Sequence, residues 1–268
     1  MAFREQKIEI RGGSGTIDGT LVLPGVLVPG VLFVHGWGGS QQQYLARARK
    51  VAGLGCVCLT FDLTGHAGTS GQYETVSRMR NLADVVAAYD VLVRQPEVDR
   101  NAIAVVGSSY GGYLATLLTT LRPVKWLALR APALYKDSEW NEPKLALRKM
   151  QGLETYRRRA LDANDNRALR AAAAYQGDVL IVESGHDAII PHEVIQNYRN
   201  AYAQARSLTY RMIEGADHGL TDPSCRTAYT TLLVSWITEM IAANRTTDAP
   251  AQKRMQDAMK AQVAGAET

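Results

Sequence analysis

The chain has 268 residues, 46% hydrophobic and 21% charged, enough for one large globular domain with a sizeable core. Its formal charge of +4 is not gathered into a Lys/Arg block, so the composition gives no case for a nucleic-acid partner. No stretch approaches the ~18 consecutive apolar residues of a membrane span, and residues 1–10 hold no apolar signal core. A cytoplasmic protein without a membrane partner is expected.

Two short strands are expected first, over 6–10 and 15–22, then a third over 30–34 that runs into His35-Gly36-Trp37-Gly38-Gly39. A fourth is expected over 57–61. Cys56 and Cys58 alternate in that apolar run and are expected on opposite faces. With Cys225 they make three cysteines, too few and too scattered for a disulfide framework, and they read as small buried hydrophobes. Val76, Met79, Leu82, Val85, Val86, Tyr89, Leu92 and Val93 then recur at spacings of three and four, one apolar helical stripe. A strand over 102–106 leads into Gly107-Ser108-Ser109-Tyr110-Gly111-Gly112. A helix follows with Leu114, Leu117, Leu118 and Leu121 on one side. Another strand is expected over 126–129.

Residues 136–177 have helical composition and no strand, too long for a simple connection. They read as a helical cap inserted over one edge of the sheet, with Arg157, Arg158 and Arg159 on a solvated face. Strands over 178–183 and 208–213 flank a helix carrying Val194, Tyr198, Ala201 and Tyr202. A last stripe of Leu232, Leu233, Trp236, Ile237 and Met240 closes a single domain expected over 1–245. Residues 246–268 read as a helical or mobile tail. The middle strands are apolar throughout rather than alternating, as in a parallel sheet covered on both faces. Strand–helix alternation therefore predicts an α/β fold: a mostly parallel, eight-stranded, doubly wound sheet.

The glycine-fenced serines have the order strand, Gly-x-Ser-x-Gly, helix, which a nucleophile elbow needs. The central serine is Ser109, and Ser108 fills the position before it. Small flanking residues let strand and helix approach in so tight a turn. The Tyr110 N–H would lie at a helix start, where unpaired donors favour an anion. Serine needs a base. Of five histidines, His218 follows the last strand in a loop and is the expected base. His35 is expected to brace its loop, His186 to shape the loop of Asp187, and His192 to cap a helix or sit at the surface. Asp187, just after a strand, is the expected orienting acid. Glu183 is second choice, Asp222 a weaker one, and Asp217 is too close to His218 in sequence to face it well. Glycines 36, 38 and 39 let backbone approach a bound oxygen, so the Trp37 N–H is expected to share an oxyanion hole with that of Tyr110.

Taken together, His35-Gly36-Trp37-Gly38, the 61–71 segment, the serine turn, the loop of Asp187 and the loop of His218 resemble the α/β-hydrolase superfamily over most of residues 15–243. The order Ser109, Asp187, His218 is that family's order. The 61–71 segment resembles the family's Asp-x-Arg-Gly-His-Gly-x-Ser loop, with Thr64 in place of the arginine and Ala67 in place of a glycine. Within the superfamily the chain resembles cinnamoyl or feruloyl esterases and related carboxylesterases. It also resembles the catalytic domains of prolyl-oligopeptidase-type peptidases and dienelactone-hydrolase relatives. Such peptidases carry a large N-terminal propeller, and about two strands precede His35 here.

The resemblance implies a serine esterase acting on a small-molecule ester. The alternatives are an aminopeptidase or amidase on the same triad, and a non-catalytic binding module. Trp140, Leu145, Leu147, Met150, Leu153 and Tyr156 of the insertion are candidates to line a substrate pocket, or else only anchor the insertion. No cofactor or metal is expected: glycines 36–39 lack the dinucleotide pattern, and His and Asp lack ligand spacing. A homodimer is left open.

Overall fold

The computed structural model describes residues 3–12, 15–24 and 28–264. Eight strands form one sheet in the order β1-β2-β4-β3-β5-β6-β7-β8. They are β1 (Phe3–Gly12), β2 (Gly15–Pro24), β3 (Val28–Val34), β4 (Val57–Phe61), β5 (Val98–Ser108), β6 (Trp126–Arg130), β7 (Asp178–Ser184) and β8 (Ser207–Ile213). β2 runs antiparallel to both β1 and β4, and every other pairing is parallel. The helices are α1 (Gln42–Ala52), α2 (Arg78–Val93), α3 (Tyr110–Leu118), α4 (Leu147–Met150), α5 (Leu153–Tyr156), α6 (Arg167–Ala174), α7 (His192–Ala201) and α8 (Pro223–Ala264).

The continuous apolar runs of the middle strands have a simple cause. Successive side chains go to opposite faces, and both faces are covered. Leu32, Val34, Val105, Leu127, Leu129, Val179 and Ile181 share one core with α2, α3, α6 and α7. Their neighbours Val31, Phe33, Ala104, Val106, Trp126, Ala128, Leu180 and Val182 share the other with α1 and α8. Cys56 and Cys58 both pack into this second core rather than on opposite faces. Residues two apart share a side of a strand, so the alternation argument points the other way.

Three features of the helical layer depart from the sequence reading. The buried side of α2 is not purely apolar: Arg78, Asn81 and Asp84 are buried along with Val85, Tyr89 and Leu92, while Met79 points out. The segment between β6 and β7 is broken into short helices, and α6 packs on α3 and α7 instead of an edge of the sheet. Arg157 is buried and donates to the carbonyls of Leu134 and Ile189, so it clamps that segment to the loop after β7. The backbone of α8 continues through Ala264, and residues 265–268 of the expected tail lie outside the described residues.

Candidate active site

The parallel strands β3, β5, β6, β7 and β8 all end toward one edge of the molecule, where ligand sites of open α/β sheets gather. β5 ends at Ser108 and α3 starts at Tyr110, so Ser109 alone makes the turn. Its backbone has φ +52° and ψ −116°, a region L-residues avoid at a cost of about 1–3 kcal/mol. Three hydrogen bonds hold it there. The Ser109 N–H donates to Arg130 O at 2.8 Å, and its carbonyl accepts from Tyr113 N at 3.1 Å and Ala133 N at 3.0 Å. The glycines are steric necessities. A Cβ on Gly107 would lie 2.5 Å from Gly111 O, and one on Gly111 would lie 2.2 Å from Val34 O.

His218, in the loop after β8, has Nε2 at 3.0 Å from Ser109 Oγ and Nδ1 at 2.7 Å from Asp187 Oδ2. With the ring proton on Nδ1 donated to Asp187, Nε2 is left to accept from the serine hydroxyl. Asp187 Oδ1 accepts from the Ile189 and Ile190 amides, each at 2.8 Å. Burial alone would push the Asp187 carboxyl up. The hydrogen bond and charge of His218, with the two amides, outweigh it and hold the group below its ordinary range. The His218 carbonyl accepts from Arg130 Nη2 at 2.8 Å, which fixes the histidine loop to the end of β6.

The other acids are placed elsewhere. Glu183 accepts from His192 Nδ1 at 2.8 Å and from the Tyr210 hydroxyl at 2.5 Å. Asp217 binds the Thr221 amide and hydroxyl, and Asp222 the Ser224 amide. His186 is exposed and its N–H donates to Ala216 O at 2.9 Å.

Across the elbow, Gly36 sits so close that a Cβ on it would be 3.3 Å from Ser108 O and 3.5 Å from Ser109 Cβ. Trp37 and Tyr110 touch edge to face, ring centroids 5.7 Å apart. Among the described residues neither backbone N–H donates to a protein acceptor. Two buried histidines brace the glycine loop. His35 Nδ1 donates to Gly36 O at 2.8 Å, and its Nε2 accepts from Leu63 N at 3.0 Å. Burial pushes its pKa down to about 4, so it is neutral at ordinary pH. His66 Nε2 accepts from Gly38 N at 3.0 Å, and burial lowers its pKa too. The Thr64 loop, which departs from the family pattern, is tied to α2. Thr64 N donates to Asp84 at 2.8 Å, Asn81 Nδ2 donates to Thr64 O at 2.9 Å, and Tyr110 OH donates to Asn81 Oδ1 at 3.0 Å. That chain links the loop to the first turn of α3. The signal for it was three polar residues, Arg78, Asn81 and Asp84, at helical spacing.

A cleft of about 490 Å³ opens on Ser109 and His218. Its walls are glycines 36, 38 and 39, Trp37, Gln43, Tyr44 and Arg47 of the α1 side, Ser108, Arg130, residues 218–221 and Arg226. None of the insertion residues singled out from sequence lines it. Trp140 lies in surface hollows beside α2 and α6, with Arg167 over its ring at 4.3 Å. Leu145 and Met150 are exposed around a separate hollow. Tyr156, Leu147 and Leu153 are buried in the core, with Tyr156 OH accepting from Asn166 Nδ2 at 2.9 Å. Leu147, Leu153 and Tyr156 anchor the insertion, and its Lys144 reaches the cleft wall from behind, over the rings of Trp37 at 4.4 Å and Tyr110 at 5.2 Å.

Comparison with known proteins agrees with this architecture. Residues 31–265 match the model of the alpha/beta hydrolase family. Two uncharacterized proteins of Mycobacterium tuberculosis, of strains CDC 1551 and H37Rv, are each 30% identical over 192 residues. The match takes in 71% of this chain and about 63% of the length of those relatives. Est1E from Butyrivibrio proteoclasticus, solved with ferulic acid, superposes with TM-score 0.68 at 18% identity over 88% of this chain and 99% of that one. A dienelactone hydrolase from Anabaena variabilis gives 0.64 at 20% identity over 89% and 99%. The acylaminoacyl peptidase of Pyrococcus horikoshii gives 0.66 at 17% identity, over 90% of this chain and 42% of that one. At such identities these structures speak for the fold alone. The family match carries the assignment: the chain belongs to the alpha/beta hydrolase family.

Proposed function

We propose that the protein is a serine hydrolase of carboxylic esters, with Ser109 as nucleophile, His218 as general base and acid, and Asp187 as the orienting carboxylate. The single observation that supports it most is the unbroken relay from Asp187 through His218 to Ser109, at 2.7 and 3.0 Å. Attack of Ser109 Oγ on the ester carbonyl sends its proton to His218 Nε2, and Asp187 stabilises the imidazolium. The carbonyl oxygen becomes an anion, received by the amides of Trp37 and Tyr110, which keep their donors free for it. His218 returns the proton to the departing alkoxide. A water, deprotonated by His218 in turn, cleaves the acyl-enzyme and regenerates the serine hydroxyl. The reaction uses no metal or organic cofactor. The substrate is a small ester in a cytoplasmic setting.

A fluorophosphonate probe tests the nucleophile: it is expected to label Ser109, and the Ser109→Ala protein is expected to take none. A folded protein that stays unlabelled would point instead to a non-catalytic binding module. Aryl esters assayed beside peptide anilides separate ester from amide hydrolysis, and faster turnover of the anilides would overturn the ester reading.

A further inference from the structure

The cleft at Ser109 has an unusual charge pattern. Three arginines, Arg47, Arg130 and Arg226, line it, and no aspartate or glutamate does. Among the described residues none of the three has a carboxylate within ion-pairing distance. Asp217 and Asp222 lie outside the cleft wall with their oxygens bonded to Thr221 and Ser224, and they feel the charges of Arg130 and Arg226 only at a distance.

The three guanidinium groups are held in place by neutral acceptors. Arg130 is 7% exposed and donates to Ser108 Oγ, Ser184 Oγ and His218 O, which leaves two of its five N–H groups over. Arg47 donates to Thr230 Oγ1 and Gln43 O, and Arg226 to the carbonyls of Leu220 and Thr221. They are neighbours in space. Arg47 and Arg130 both lie over the Tyr229 ring, 4.9 and 5.9 Å from its centroid. Arg130 and Arg226 both grip the 218–221 turn that carries His218. Arg130 is buried, Arg47 half-buried and Arg226 exposed at the mouth, and three like charges around one cleft repel one another. A planar, multi-donor cation is also the group best matched to a carboxylate or phosphate.

We infer that this cleft takes an ester bearing a second, anionic group, a carboxylate or phosphate, whose charge is received by Arg47, Arg130 and Arg226. The inference rests on the ester reading for its chemistry, but not for the anion site itself. Calorimetric titration of the Ser109→Ala protein with monomethyl glutarate and with inorganic phosphate tests the site without turnover. At least one is expected to bind, and the tighter of the two names the preferred oxyanion. Arg47→Gln with Arg226→Gln is expected to weaken that binding about tenfold or more. No binding of either probe overturns the inference, whatever the enzyme's chemistry.

In the wild-type protein, kcat/KM for 4-nitrophenyl hydrogen glutarate is expected to exceed that for its methyl ester about tenfold or more at low salt, with the gap closing as ionic strength rises. This arm needs no variant to fold. Equal rates, or a faster methyl ester, overturn the inference and leave ester hydrolysis standing. No turnover of either ester and no probe adduct on Ser109 overturn the ester reading, while the titration still judges the site.

Discussion

Among the described residues two hydrogen-bonded carboxylate–histidine pairs begin at the end of β7. In one, Asp187 meets His218; in the other, Glu183 meets His192 at 2.8 Å. Taken as pairs they look alike: each acid side chain is buried and each histidine is bound through Nδ1. They differ in what lies beyond the ring. His218 Nε2 faces Ser109 Oγ, whereas His192 Nε2 faces Gln196 on the next turn of α7, and the His192 side chain is half exposed. An acid and a histidine in contact are therefore no signature by themselves. What separates the pairs is the strained serine held across from only one of them.

The largest expected effect breaks the pair that faces the serine. Ser109→Ala or His218→Ala is expected to lower kcat on an aryl ester about 10⁴-fold or more. His192→Ala is expected to leave the rate close to wild type. Equal losses from the two histidine variants would refute the distinction. The acids sharpen it. Asp187→Asn keeps the shape but favours the wrong tautomer and is expected to cost about 10³–10⁴-fold in kcat. Glu183→Gln is expected to spare kcat and to lower stability by about 1–2 kcal/mol, read by urea denaturation, since a carboxylate bound by His192 and Tyr210 is lost.

Much of this was legible in the sequence, for physical reasons that differ by region. The central strands β3 to β7 show because their continuous apolar runs fill two cores at once. Ser109, Asp187 and His218 stand out because each follows a strand in a loop and they come in the family's order. Arg130 was invisible as a functional residue: a lone arginine closing an apolar strand gives no hint that it will reach Ser108, Ser184 and His218. Insertion residues such as Trp140 and Met150 line other hollows, because apolar composition says that a side chain seeks company but not which hollow it will border. Cleft walls assembled from α1, β6 and the start of α8 are far apart in sequence, and only folding makes them neighbours.

The serine end of the comparison depends on how tightly α3 docks onto β3. Gly111→Ala places a methyl where 2.2 Å separates it from Val34 O, a backbone atom that cannot swing aside. A stability loss of about 3 kcal/mol or more is expected, with activity falling as the elbow opens. An Ala variant as stable as wild type would mean that the elbow has room to spare.

On the opposite side of the elbow, His35 makes the site sensitive to acid. Its pKa falls from an ordinary 6.5 to about 4 because burial disfavours the charged ring. The unfolded chain therefore binds a proton that the folded chain refuses between those two values. Stability is full above about pH 6.5, falls as pH drops toward 4, and stops falling on this account below it. The two values imply roughly 3 kcal/mol across the window. Denaturation midpoints of wild type and His35→Asn, compared from pH 7 to pH 4, are expected to converge as the pH falls. Parallel curves would show that His35 is not the group responsible.

The smallest effect is the most discriminating, because it concerns the neighbour of Ser109. Ser108 and Ser109 are adjacent and chemically identical, yet Ser108 is buried at the end of β5, where its hydroxyl accepts from Arg130 Nε at 3.3 Å. That bond is long, and Arg130 keeps its contacts to Ser184 and His218 without it. Ser108→Ala is thus expected to cost about 1 kcal/mol of stability and only a few-fold in kcat, with labelling of Ser109 intact. A loss approaching that of Ser109→Ala would mean that Arg130 holds the His218 loop through Ser108. The contrast between the two histidine pairs would then extend one residue deeper into β5.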